Sequence, residues 1–583
     1  MTIKRAAACL LACLALLSAV PAGEAAETGP INRRIDPFTA NKLDYLPEKA
    51  RARTDTLVYG VPDLMGVTNP FWAETTGDNY LSSLLYDELV FANNAGENGE
   101  GVAAWTVSPN GRTYTFTVRE GVCYTDGVQV SSDDYINAIY LILTPGYDGA
   151  YDLSRAGIVG AEEYAAGLAN TIAGVERIDA RSFSVTFETY NPTCLDYLGI
   201  PALRVSLFGD MRCPQSATEP EDIAAHQAQS LAVARLADAT QMTYGQYTLE
   251  SLEVQSLATL SANPDYWRGA PNIGTVQLQV VPVGEELDAI LDGDVDIISM
   301  LGSVEAVDKV CDYTSGFINL YTWEGNVIGY LGLDSENPIF ADTRVRQALA
   351  IGFDRDGARY NTVERYGKVF GMLLFDSFGV NCDMLGEQYP YDMEKASRLL
   401  EEAGWLLEAD GIRYREGEPL AFTFHYNTPN PIMDKVVSLM KADYEALGID
   451  MTVEAVSFEE LLARIEAGEC DMYFQARRLP ASPGVSASLF AGESHLNASG
   501  YQSDSLQRFL EWAEYESDAT RQTVIYEGFY QELYLELPFI PLYRRNDLLL
   551  ISARVMNATV TTAHDITADT FRFFLTDTLQ GQW

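Results

Sequence analysis

Two adjacent guanidinium groups carry the most pointed chemistry in the chain. Arg477 and Arg478 lie in the run Asp471-Met472-Tyr473-Phe474-Gln475-Ala476-Arg477-Arg478-Leu479-Pro480-Ala481-Ser482-Pro483. Guanidinium forks hold carboxylate or phosphate through paired, charge-assisted hydrogen bonds, so this pair suits a ligand with an anionic or acceptor-rich group. The alternative is that abundant neighbouring acids neutralise both arginines. Signatures of turnover are missing: there is no G-x-S-x-G, H-E-x-x-H, Walker A or G-x-G-x-x-G. The four histidines, His226, His425, His495 and His564, include no pair at metal-ligand spacing. Asp292-Gly293-Asp294-Val295-Asp296 opens like a calcium loop but lacks the sixth-position glycine and twelfth-position glutamate, and reads as a turn. No catalytic residue, metal or cofactor is expected. Paired carboxylates among 83 acidic residues leave a glycosidase open on counting alone.

The elements that must position these groups belong to a chain of 583 residues, long enough for two or more lobes. Apolar residues make up 47%, which excludes a disordered class. With 39 basic against 83 acidic residues the net charge is −44, a surface that repels phosphate backbones and excludes nucleic acid as a partner. Residues 1–26 read as an export signal: Lys4 and Arg5 precede the apolar run Ala6 to Val20, and cleavage would follow Ala22 or Ala25. Leu10-Leu11-Ala12-Cys13 resembles a lipoprotein box, but the apolar run continues past Cys13, so ordinary cleavage is expected and lipid anchoring is the alternative. Beyond the signal, no stretch reaches the ~18 apolar residues of a membrane span. The cysteines after the signal are Cys123, Cys194, Cys213, Cys311, Cys382 and Cys470. They permit three bridges, with Cys194–Cys213, the nearest in sequence, the single pairing expected first, or buried free thiols.

Residues 27–55 read as a linker, and the folded body is expected to start with a strand at Thr56-Leu57-Val58-Tyr59. A helix from Asn79 to Val90 would present Leu81, Leu84, Leu85 and Leu89. Pro109-Asn110-Gly111 and Asp126-Gly127 are turns around an alternating strand at Tyr114, Phe116 and Val118. Ser131 and Asp134 have the spacing of a capping box for a helix burying Ile136, Ile139, Tyr140 and Leu143. Farther on, strands and helices alternate. Asp342, Asp392 and Ser457 are predicted N-caps, and Gly404, Gly448 and Gly468 helix stops. That succession predicts an α/β lobe.

The segment Trp105 to Leu143, the run L-L-Y-D-E-L-V ending at Val90, Asn263-Pro264-Asp265-Tyr266-Trp267-Arg268-Gly269 and the helix Val345-Arg346-Gln347-Ala348-Leu349 with Asp354-Arg355 occur in a family's order. Together they resemble the extracellular solute-binding proteins, family 5, which serve oligopeptide and dipeptide ABC importers. The resemblance covers roughly residues 56 to 545. It implies an α/β fold that is two-lobed and periplasmic-binding-protein-like, with hinged lobes around a cleft, two connecting strands, and an extra subdomain in the first lobe. Lobe I would comprise 56–80, 190–282 and 537–583, its subdomain 81–189, and lobe II 283–536. The implied function is an exported, monomeric substrate-binding component. It would capture a peptide or other small polar solute and deliver it to an ABC permease with its ATPase, in the periplasm or at the outer face of the membrane. A secreted, glycosidase-like hydrolase and a surface ligand sensor or scaffold are the alternatives. The resemblance places the loop with Asp63, Asn69 and Phe71 on one wall of the cleft and Gln475 to Pro483 on the other. Trp323 and Tyr330 are further candidates, with core packing as the alternative for each aromatic. In peptide-binding relatives the second loop carries a Trp, then an Asp that pairs with the ligand's α-amino group. Here Arg477 falls near the Trp position and Leu479, Pro480 and Ala481 replace the acid, a departure from recognition of a free amino terminus.

Overall fold

One mixed sheet of eleven strands runs through the whole molecule. The computed structural model describes residues 43–92, 98–190, 194–237, 239–300, 317–362, 367–368, 389–479, 483–487, 489–490, 497, 499–561 and 564–576. The expected signal, most of the expected linker, Cys311, Cys382, His495 and residues 480–482 lie outside them. In chain order the strands are β1 (Thr56–Val61), β2 (Tyr247–Glu253), β3 (Leu257–Ala262), β4 (Thr275–Val280), β5 (Ile297–Ser299), β6 (Ile318–Leu333), β7 (Gly367–Lys368), β8 (Ala421–Asn427), β9 (Asp450–Val456), β10 (Met472–Arg478) and β11 (Phe539–Ser552). Their order is β9-β8-β10-β6-β11-β5-β1-β4-β3-β2, with β7 on β11. β1 pairs in parallel with both β4 and β5, and β8 with both β9 and β10. Flanked on both sides, β1 is buried from Leu57 to Val61, which explains its near-continuous apolar wording.

Packing divides the molecule into separate cores. One gathers β1, β3 and β4 with the helix α1 (Thr76–Leu85), the helix α2 (Ser132–Ile142) and the four-stranded antiparallel sheet of 103–107, 113–118, 175–177 and 182–186. Another gathers β8, the far halves of β6 and β11, and the helices α3 (Thr343–Ile351), α4 (Asp504–Tyr515) and α5 (Ala519–Glu536). A smaller core underlies the first, formed by Leu43, Leu46, Ala50, Val58, Leu287, Ile290, Ile318, Leu320, Leu548 and Leu550. Residues 286–300 and 317–320 therefore pack with first-lobe strands, and 537–543 with the second core, against the expected boundaries at 283 and 537. The folded body also begins earlier than expected. Leu43–Tyr45 and Glu48–Ala52 are helical, and Leu43, Leu46 and Ala50 are buried, so 43–55 is not a linker.

A buried ion pair fixes that early segment. Asp296, fully buried at the end of the turn 293–296, meets Arg554 at 2.8 Å and Arg53 at 3.3 Å, and accepts the Val58 amide at 3.0 Å. Arg554 also donates to the carbonyls of Ala50, Arg53 and Thr56. The turn reading of this acidic run holds, and its last carboxylate is the anchor.

Local signals formed as expected. The Ser131 amide donates to Asp134 Oδ2 at 2.9 Å in a capping box. Asp342, Asp392 and Ser457 accept amides at their helix starts, and Gly404, Gly448 and Gly468 have positive φ at helix ends. The helix expected over 79–90 instead spans 76–85. At Tyr86 the chain becomes extended because that side chain donates to the carbonyls of Thr68 and Ala239, 2.9 and 2.8 Å away. Cys194 and Cys213 are buried free thiols, as is Cys470, so the expected 194–213 bridge is absent; burial pushes both the Cys194 and Cys470 thiols up to about 11.

Candidate functional site

β6 and β11 are shared by the cores on either side of the molecule. They pair antiparallel along their length, but the register shifts between Glu324 and Ile328, and again between Gly329 and Tyr330. The second shift falls at Pro541, which has no amide to give the ladder. Irregular pairing between two regular packed stretches is where a sheet bends at least cost. Trp323, whose backbone alone is described, pairs with Asp547 beside the first shift and so lies at the crossing.

On the second-lobe side, Tyr330 stands directly opposite Gln475, and its hydroxyl donates to the Gln475 carbonyl oxygen. Its ring packs against Phe539 and Phe490 at 5.4 and 5.8 Å, and burial pushes its phenol up to about 12. Tyr330 is therefore part of the second core, with its polar end tied to β10. Arg477, opposite Ile328, is half-buried, and its charge acts on the phenols of Tyr330 and Tyr473. Strand alternation puts Tyr473, Gln475 and Arg477 on one face of β10. Arg478 pairs with Val327, its backbone alone being described.

The expected first wall is built differently. Asn69 and Phe71 are only 7% and 0% exposed. The Asn69 side chain accepts the Phe71 amide and donates to the Ala234 carbonyl, fixing the turn. Phe71 packs on Tyr151 with ring centroids 5.7 Å apart. Asp63 accepts the Gly77 amide at 2.9 Å and so holds the start of α1. These three side chains serve internal partners, which fix the loop that carries them. Other residues that the sequence reading passed over reach solvent. Tyr151 is half-exposed over Phe71, and Glu88 is exposed on the segment leaving α1. Its neighbour Asp87 points into the protein, accepting from Tyr266 at 3.2 Å and from Trp267 Nε1 at 2.6 Å. Two of the sequence motifs thus meet in one contact. A pair of acids ending an apolar helix was the available signal.

The two sides also touch away from the crossing strands. Arg155, between the first-core residues Leu153 and Ala156, donates to Glu514 at 3.3 Å and to Gln507 at 3.1 Å on α4. Thr189 donates to the Glu514 carbonyl at 3.1 Å. A Cβ at Gly484 would lie 2.9 Å from the Tyr197 hydroxyl and 2.5 Å from that of Tyr526, so Tyr197 abuts the second lobe. Burial holds the Glu514 carboxyl above its ordinary range even with Arg155 beside it. No sequence signal pointed here, because 155 and 514 become neighbours only through the fold.

Among the described residues no group of histidine, cysteine and acids is arranged to hold a metal, and no helix is long and apolar enough to cross a membrane. Two faces joined at one end by continuous strands and bridged elsewhere by side chains can enclose a solute.

The chain is similar in sequence to the oligopeptide-binding protein AppA of Bacillus subtilis, 25% identical over 49% of this chain and 54% of AppA. It is also similar to the periplasmic oligopeptide-binding protein OppA of Escherichia coli, 21% identical over 84% of this chain and 87% of OppA. In structure it is similar to Bacillus subtilis AppA solved with a nonapeptide, with a TM-score of 0.77 at 19% identity over 90% of this chain and 99% of that one. This likeness shows the two-lobed fold. A profile of the bacterial extracellular solute-binding proteins, family 5 (Middle), matches residues 101–491. That is more than half of its length, and the chain belongs to this family of solute-binding proteins.

Proposed function

We propose that this protein is the exported substrate-binding component of an ABC importer. It acts as a monomer, closes its lobes on a peptide or other small polar solute, and presents the closed form to a permease with its ATPase. Lobe closure supplies both enclosure and signal, since a permease can read the closed shape. The observation that carries the reading is the pair of long strands, β6 and β11, that cross between packed cores with broken register, while Arg155 and Glu514 meet across the other side. In this reading Arg477 and Arg478 receive an anionic or acceptor-rich group of the ligand, Trp323 and Tyr330 line or support the crossing, and Asp63, Asn69 and Phe71 hold the opposite wall in shape. No turnover chemistry and no nucleic-acid binding belong to it. Native mass spectrometry of protein purified from its host tests it. A retained peptide or small polar solute, released on denaturation, is expected. Catalytic cleavage of peptides or glycosides, lost on changing a cleft carboxylate, would overturn it.

A further inference from the structure

Three segments of the first lobe reach the second away from the crossing strands. Arg155 donates to Glu514 and Gln507, Thr189 donates to the Glu514 carbonyl, and Tyr197 rests at Gly484. The first two contacts are polar, whereas the third is one of bulk. A Cβ at Gly484 would lie 2.5 Å from the Tyr526 hydroxyl oxygen and 2.9 Å from that of Tyr197. Both distances fall well inside the ~3.5 Å of an ordinary contact. The next atom, Cζ of Tyr526, is 3.4 Å away, so the two hydroxyls alone exclude a methyl group there. Gly484 does not have a positive φ, so the backbone makes no demand for glycine at this position. What demands it is the approach of two side chains, one from each lobe.

Both side chains are held where they are. Tyr197, in the 3-10 helix Cys194–Leu198, belongs to the first core with Leu195 and Leu198 and is 8% exposed. Tyr526 lies on α5 in the second core and is 4% exposed. One turn farther along α5, Tyr530 donates to the Pro483 carbonyl at 2.8 Å and fixes the start of the short helix Pro483–Ala487, which carries Gly484. Rings packed into cores cannot swing aside without leaving a void, so the contact is stiff from both sides. In sequence Gly484 directly follows the stretch Gln475 to Pro483 expected at the ligand.

We propose that Gly484 is the seat that receives Tyr197 when the lobes close, and that its missing side chain sets how far they close. This rests on the solute-capture reading above and adds to it the residue that fixes the closed position. Arg155 and Glu514 draw the lobes together, and Tyr197 against Gly484 stops them. A side chain at 484 would hold the lobes short of that position, and the solute would leave faster.

An equimolar tetrapeptide library serves as the probe, with binding read by mass spectrometry of retained peptides and closure by small-angle scattering. Gly484→Ala on its own should weaken peptide binding against wild type by about tenfold or more, the scale on which overpacking a filled contact costs. Because that methyl meets hydroxyls from both lobes, it is also placed in Tyr526→Phe, which removes the clash within the second lobe and leaves the one with Tyr197. Against Tyr526→Phe, the double variant should still bind about tenfold more weakly. Its radius of gyration should stay at the peptide-free value at peptide concentrations that shrink the reference. Adding Tyr197→Phe should restore both, and matching thermal melts should show that the variants are folded. Equal binding and scattering by wild type and Gly484→Ala, or a loss in the double variant that Tyr197→Phe does not restore, would overturn the assignment of Gly484 alone. Retention of no peptide by wild type would overturn the capture of peptides, and the assignment with it.

Discussion

Replacing Arg155 by alanine removes an ion pair that joins the two sides of the molecule without touching either core. The Arg155 side chain is 10% exposed and that of Glu514 29%, so the pair lies between the surface and fully buried cases. Exposed pairs are worth about 0–1 kcal/mol, and breaking a fully buried one costs about 3–5 kcal/mol. Arg155 also donates to Gln507, and its loss removes a cation from beside Glu514, whose carboxyl burial already holds above its ordinary range. Discounting for the solvent that still reaches Glu514, the closed form should lose about 1–2 kcal/mol, a factor of about 5–30 in the closed-to-open ratio. The loss should show as weaker affinity by a similar factor, mainly through faster ligand release, because contacts made after encounter set the off-rate. Calorimetry and stopped-flow release on the solute identified from the host protein measure both. A cycle with Glu514→Gln should give a coupling near the same value. The unfolding midpoint of each lobe should hardly move. Unchanged affinity and release in Arg155→Ala, with the protein folded, would refute the reasoning.

Asp296→Ala should cost about 3–5 kcal/mol in urea unfolding, because it strands the buried Arg554 guanidinium and frees the 43–56 segment. A loss below about 1 kcal/mol would show that water or rearrangement replaces the pair. For Glu88 the sign is opposite to that of an ion-paired acid. Its folded carboxyl is raised from 4.5 to about 8, so the native state holds the proton more tightly, and stability present below pH 4.5 is lost as pH rises toward 8. Glu88→Gln should therefore gain on wild type as pH rises from 5 to 8 in thermal melts, by less than full burial would give because solvent reaches the group; parallel pH profiles would contradict this. Arg477→Ala should weaken binding of an anion-bearing solute by about 2–5 kcal/mol, much of it from the ligand charge left unpaired, and unchanged affinity would return Arg477 to a structural role.

Much of this architecture was legible because its signals are local. Asp342, Asp392 and Ser457 cap helices through amides two or three residues away, and Gly404, Gly448 and Gly468 stop them by accepting positive φ. The strand alternation of Tyr114, Phe116 and Val118 survives as an inward-facing row in an antiparallel sheet. What failed to read was tertiary. The end of α1 at Leu85 depends on partners of Tyr86 as far away as Ala239. The packing of residues 43–50 depends on a core completed by residues near 550. The loop residues show the same limit: Asn69 and Phe71 stand at the expected loop, but their side chains turn inward, while Tyr151, packed on Phe71, reaches solvent. A sequence places a loop more readily than it says which of the loop's residues face a solute.

Small-angle scattering on ligand-stripped and ligand-reloaded protein tests the central claim most directly, that the lobes close about β6 and β11 on a bound solute. The reloaded protein should show a smaller radius of gyration than the stripped one, and Arg155→Ala should need more solute to reach it. Identical scattering with and without solute, at concentrations where calorimetry shows the site filled, would contradict closure on the ligand.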